Sequence, residues 1–219
     1  MKKCLPSVAF LFFIFLIPSI RAQVPVEEDP FHKIVFENKF VRVLDLTIRG
    51  SDTTTMHVHR AASVVVFLTK SPLVIQAPGE AAVVTPVDIG NMLYRPYDET
   101  PTTHRVWSQD GSTMRCMVIE IKHDATQRDG KPIVAPDVNL LSNQKRVNVY
   151  DLKGSQGKAL SLSSSPCPYF LLNISGPLTA SVSGEKHFLN AGDFIFIPAQ
   201  SQATLLAAKD NKSILIQLK

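Results

Sequence analysis

Val41-Arg42-Val43-Leu44-Asp45-Leu46 is a short strand-forming run, and it returns 106 residues later as Val147-Asn148-Val149-Tyr150-Asp151-Leu152. The echo continues along the chain. Ser71-Pro72-Leu73 comes back as Gly176-Pro177-Leu178 and Gly79-Glu80 as Gly184-Glu185, both at an offset of 105. Gly90 with Pro96 is matched by Gly192 with Pro198 at an offset of 102. A slowly shrinking offset carried through several turns is the trace of a duplication with small insertions and deletions. The chain reads as two tandem copies of one β module.

Within each copy the elements are short. Residues 34–37, 40–46, 63–68, 73–76, 92–95 and 115–121 are strand-like, and Gly, Pro, Asp and Ser punctuate them at Gly50-Ser51-Asp52, Ser71-Pro72, Pro78-Gly79 and Asp110-Gly111. Many short strands, frequent turn signals and no 3.6-residue periodicity point to an all-β sandwich or barrel. The boundaries follow from composition. Residues 23–33 are polar and proline-bearing and read as an N-terminal arm; 34–123 form the first module, 124–142 a polar linker, and 143–219 the second module.

The chain opens with Met1-Lys2-Lys3, an apolar stretch from Phe10 to Ile17, and Ser19-Ile20-Arg21-Ala22. A basic head, a short apolar run and a small residue before the cut describe a secretory signal peptide over 1–22, too short to span a bilayer. Export places the protein in the periplasm or outside the cell. The leader carries Lys2, Lys3 and Arg21 and no acid, so the 23 basic and 19 acidic residues become 20 and 19 after cleavage. A net charge of +1 argues for neither nucleic acid nor stable membrane association as partner. Cys116 and Cys167 then remain in an oxidising compartment, and the sequence leaves open whether they pair.

The chemistry sits in Thr55-Met56-His57-Val58-His59. In an extended chain, residues two apart point to the same face, so His57 and His59 project together within reach of one metal ion. His104 stands in a second strand-like run, Thr102 to Trp107, with Trp107 out of phase with it. His57, His59 and His104 are the candidate metal ligands. The second module has no such set. An offset of 106 from His57 and His59 lands on Ser163 and Ser165, and His187 lies in a polar turn.

The segment Gly184-Glu185 through Leu189-Asn190-Ala191-Gly192-Asp193-Phe194-Ile195-Phe196-Ile197-Pro198 closely resembles the second motif of cupins, and Gly50 through His57-Val58-His59 resembles their first. The chain is similar to bicupins, and more narrowly to small secreted bacterial cupins of unassigned function. The resemblance implies two antiparallel jelly-roll barrels with a metal inside the first, held by His57, His59 and His104. It also marks departures. Ser63 stands where cupins carry a glutamate ligand, Asn91 where they carry aspartate, and His104 follows Pro96 by eight residues rather than the usual five.

Three imidazoles leave adjacent coordination positions open, and without a glutamate the site keeps its full divalent charge, which favours small anionic, chelating ligands. Iron, manganese, nickel, copper and zinc all accept such a set. Three functional readings follow: an exported metal-binding cupin with a small-molecule ligand; a three-histidine non-haem dioxygenase; and a metal-free binding or assembly module. A homo-oligomer is compatible with each. No catalytic residue is assigned. Tyr94 shares a strand face with Met92, opposite Leu93 and Arg95, and which pair lines the barrel is open; Met92, Tyr94 and Glu99 are the pocket candidates.

Overall fold

The structure is a computed structural model describing residues 23–122, 130–154 and 158–219. The expected signal peptide, 1–22, lies outside the described residues. The first module comprises β1 (Val24–Pro25), β2 (His32–Glu37), β3 (Val41–Ile48), β4 (His57–His59), β5 (Ser63–Phe67), β6 (Ser71–Gln76), β7 (Val83–Val87), β8 (Met92–Arg95), β9 (Thr102–Ser108) and β10 (Met114–Ile121). The second comprises β11 (Val138–Asn143), β12 (Val147–Lys153), β13 (Ala159–Leu162), β14 (Tyr169–Ser175), β15 (Leu178–Val182), β16 (Glu185–Leu189), β17 (Phe194–Ile197), β18 (Ala203–Ala207) and β19 (Lys212–Leu218).

The duplication is visible in the strand order. The first module pairs β2-β3-β10-β5-β8 in one sheet and β1-β4-β9-β6-β7 in the other; the second pairs β11-β12-β19-β14-β17 and β13-β18-β15-β16. Adding nine to each strand number converts the first module into the second, with β1 as the one addition. The result is two tandem antiparallel jelly-roll barrels.

Each barrel has its own interior, and a third core lies between them. On β10, Met114, Cys116 and Val118 face into the first barrel, while Met117, Ile119 and Ile121 face the second. On β14, Tyr169 and Leu171 point inward and Phe170, Leu172 and Ile174 point at the first barrel. Alternation of side chains along a strand thus puts apolar residues on both faces. The apolar stretches Cys116 to Ile119 on β10 and Tyr169 to Leu172 on β14 do not alternate with polar residues because both faces are covered there.

The segment 23–33 lies along a sheet edge: β1 runs parallel to β4, with Val24 opposite His57, Val26 is buried, and β2 begins at His32. Two expectations are revised. The expected linker 124–142 is shorter than its composition implied, because β11 starts at Val138; residues 123–129 lie outside the described residues. Register also shifts the expected counterparts of the histidines. Leu73 pairs with Ser108 and His104 with His57; Leu178 pairs with Ala207 and Ala203 with Leu162. Ala203 is therefore the counterpart of His104, but Leu162 and Ser164, rather than Ser163 and Ser165, answer His57 and His59. The second barrel fills that position with its own apolar core, to which Leu162 and Ala203 belong.

Candidate metal centre

β4 and β9 are neighbours, and their register sets His57 directly opposite His104. His57, His59 and His104 are all buried and their rings are neighbours. The ring centroids of His57 and His59 are 5.0 Å apart, and His104 lies 4.9 Å from His57 and 5.0 Å from His59.

A fourth imidazole joins them. His32, at the start of β2, has its ring 4.7 Å from that of His57, and His32, His57 and His59 each offer a nitrogen within 4.8 Å of the others. Sequence reasoning passed over His32 because it lies in what reads as a polar arm. The signal that could have found it is Asp29-Pro30-Phe31-His32, a carboxylate three residues before an imidazole. Asp29 is buried, and its Oδ1 accepts hydrogen bonds from the Phe31 N–H and from His32 Nδ1, both at 3.0 Å. Its Oδ2 accepts the Thr55 N–H at 2.8 Å and the Thr55 hydroxyl. Burial alone would raise the Asp29 carboxyl, but the bonds from His32, Thr55 and Phe31 outweigh it and hold the group well below the usual carboxylate range.

These contacts fix tautomers. An ionised Asp29 requires the proton on His32 Nδ1, and the Thr55 carbonyl, 2.9 Å from His57 Nδ1, requires the proton there as well. The His57 ring therefore turns a bare Nε2 lone pair away from its support, as metal-ligating histidines do. His57 Nε2 stands 3.1 Å from His59 Nε2. Two nitrogens about 2.1 Å from one ion at roughly a right angle are separated by about 3 Å. The geometry fits a shared cation, and His59 Nδ1, buried without a partner, is the remaining orphaned atom of the cluster. Burial, reinforced by the neighbouring imidazoles, pushes His57 down to about 4, His59 to about 2 and His104 to about 3, so all three are neutral and have lone pairs to give.

Beside the histidines is a cavity of about 60 Å³ whose polar lining is His32, His59, His104, Arg95 and Tyr97; Leu46, Phe67, Leu93, Met114 and Cys116 are among its apolar walls. The pocket candidates are corrected here. On β8 it is Leu93 and Arg95 that face inward, whereas Met92 and Tyr94 pack on the core between the barrels. Glu99 is exposed on the following turn. Tyr97, from the longer loop before His104, lies against His59 with centroids 4.8 Å apart and planes at 25°. Ser63 is buried and donates to the Ala61 carbonyl at 2.8 Å. On β9, His104, Val106 and Ser108 are buried, and Trp107 faces outward beside Arg105. Cys116 is a free thiol inside the first barrel, pushed up to about 12 by burial, and is not bonded to Cys167.

No family model matches the chain, and no curated protein does. Solved structures do. The salicylate 1,2-dioxygenase of Pseudaminobacter salicylatoxidans superposes with a TM-score of 0.63 at 10% identity, covering 82% of this chain and 71% of that one. A variant of that enzyme in complex with gentisate gives 0.63 at 11% identity, covering 89% and 76%. AerE from Microcystis aeruginosa gives 0.57 at 11% identity, covering 87% and 98%. At this identity the likeness concerns the fold alone, the two jelly-roll barrels expected from the two motifs.

Proposed function

We propose that the chain is an exported cupin-type protein, periplasmic or secreted, whose first barrel binds one divalent metal ion through His57 and His59, completed by His32 and His104. The observation that carries this reading is the pair of Nε2 atoms 3.1 Å apart, with the His57 tautomer fixed by Thr55 behind it. His32 takes up a position near the cluster that Ser63, lacking a carboxylate, cannot serve. A bound ion would supply a Lewis acid beside the cavity. The protein's own contribution is to keep the imidazoles neutral, to exclude bulk water with apolar walls, and to set Arg95 at the rim, where a guanidinium favours a small anionic ligand.

The test is elemental analysis of protein made without a histidine tag. Near-stoichiometric metal is expected, lost in the His57→Ala/His59→Ala double variant while the circular dichroism spectrum is kept. Metal content unchanged by that substitution refutes the assignment, and no metal in the wild type leaves the reading of a metal-free binding module.

A second reading, a non-haem dioxygenase, draws on the fold shared with salicylate 1,2-dioxygenase, which has been solved with gentisate. Its test is oxygen uptake by the ferrous-loaded protein over a panel of chelating enolic compounds. Absence of turnover across the panel leaves metal and ligand binding as the function.

A further inference from the structure

The cavity beside the histidines, at about 60 Å³, is far smaller than the ~300–1,000 Å³ of sites for drug-sized ligands. Tyr97 is one cause, because its ring lies flat against His59 and forms a wall of the cavity. The turn that carries Tyr97 is tight: the Glu99 and Thr100 N–H groups both donate to the Pro96 carbonyl, at 3.0 and 3.1 Å. The next side chain, Asp98, is paired with the other barrel. Its Oδ2 lies 3.0 Å from Nε of Arg146, and the two side chains are only 9% and 22% exposed. Asp98 Oδ1 is buried without a hydrogen-bond partner, so the guanidinium is the counter-charge this carboxylate depends on. Arg146 immediately precedes β12 and is itself tied down, its carbonyl accepting the Lys219 N–H at 2.8 Å.

We propose that Asp98 and Arg146 are positioning residues through which the second barrel holds Tyr97 over His59, so that the histidine pocket admits anions of the size of azide or formate and rejects a carboxylate as large as benzoate. This gives the barrel without ligands a role at the site. The size-selection part rests on the metal-binding reading above; the positioning part does not.

The experiment therefore has two arms, both on the full chain, with Asp98→Asn, Arg146→Gln and the charge-conserving Arg146→Lys. In the first, the metal-free protein is treated with tetranitromethane and nitration of Tyr97 is followed by peptide mass spectrometry. Asp98→Asn and Arg146→Gln should speed it about five-fold or more, while Arg146→Lys stays near the wild type. In the second, cobalt(II)-loaded protein is titrated with azide and with benzoate, read by its visible spectrum. The two pair-breaking variants should bind benzoate about five-fold or more tighter with little change for azide, and Arg146→Lys should again resemble the wild type. Equal nitration rates in all folded forms overturn the proposal, and faster nitration with unchanged benzoate affinity overturns the size selection. Failure to take up cobalt would count against the metal reading alone, and the nitration arm would still decide the role of the ion pair.

Discussion

Asp29 supports His32 from behind the cluster: both side chains are buried, and the carboxylate accepts the Nδ1 proton at 3.0 Å. This is the carboxylate–histidine arrangement that orients a ligating imidazole and raises its basicity. Asp29→Asn keeps an acceptor of the same shape and removes the charge. Metal affinity, measured by competition with a chromogenic chelator, should fall roughly 10- to 100-fold. An unchanged affinity would take His32 out of the ligand set.

Arg95 should separate ligand binding from metal binding. It lines the cavity with His59 and His104, on the strand face opposite Met92 and Tyr94. Arg95→Leu should leave the metal content at the wild-type value while weakening formate or azide binding about ten-fold, the loss of one charge-assisted contact. If anion affinity is insensitive to the substitution, the anion approaches from another side.

What could be read from the sequence follows from which forces are local. His57 and His59 share a face by the two-residue period of a strand, and the doubled β pattern around Val41 and Val147 announced two barrels. His32 and Asp29 were hidden because the docking of β1 beside β4 and the burial of Val26 are tertiary events that a polar, proline-bearing stretch does not advertise. The face of β8 was undecidable for a different reason. Leu93 packs inside the barrel and Met92 on the core between barrels, so hydrophobicity carries no sign of direction there. Tyr97 lies in a loop whose next residue, Asp98, pairs with Arg146, 48 residues away in sequence, a contact that local pattern does not reveal.

The metal-free protein should lose stability in mild acid. Free imidazoles titrate near 6.5, but the buried rings of His57, His59 and His104 do so only at about 4, 2 and 3. Below 6.5 the unfolded chain takes up protons that the folded chain refuses, so these rings contribute fully above 6.5 and their contribution is lost as pH falls toward 4. Glu120 acts with the opposite sign. Burial, opposed by Arg42 at 3.4 Å, raises its carboxyl from 4.5 to about 7. Its contribution is full below 4.5 and declines as pH rises through 7. Three rings outweigh one carboxyl, so the urea midpoint should climb from pH 4.5 to 6.5, by about 1.4 kcal/mol per pH unit for each net proton. Toward pH 7.5 it should level off, because the last protons lost by the three unfolded imidazoles and the proton lost by Glu120 nearly cancel. Glu120→Gln should steepen the climb between pH 4.5 and 6.5, from two net protons to three.

The two barrels should unfold as one unit, because the core between them belongs to neither alone. Val41, Val64, Met117 and Ile119 of the first barrel pack with Phe170, Leu172, Ile214 and Ile216 of the second, all essentially excluded from solvent. Reciprocal contacts flank this core. Arg115 of β10 and Lys212 of β19 hold the same register position, opposite Thr47 and Lys153. Arg115 reaches Gly192 of the other barrel, and Lys212 reaches Gly90. Both glycines have positive φ, +87° and +77°, in the left-handed region that side chains disfavour. Phe170→Ala, at the centre of the shared core, should cost about 3–5 kcal/mol and lower the urea midpoint of a single transition seen alike by far-ultraviolet circular dichroism and by Trp107 fluorescence. Because Trp107 is in the first barrel and Phe170 in the second, a shift confined to circular dichroism would mean that the barrels unfold independently. For the same reason residues 23–122 expressed alone, with the β3-β10-β5 face bared, should aggregate rather than give a folded monomer.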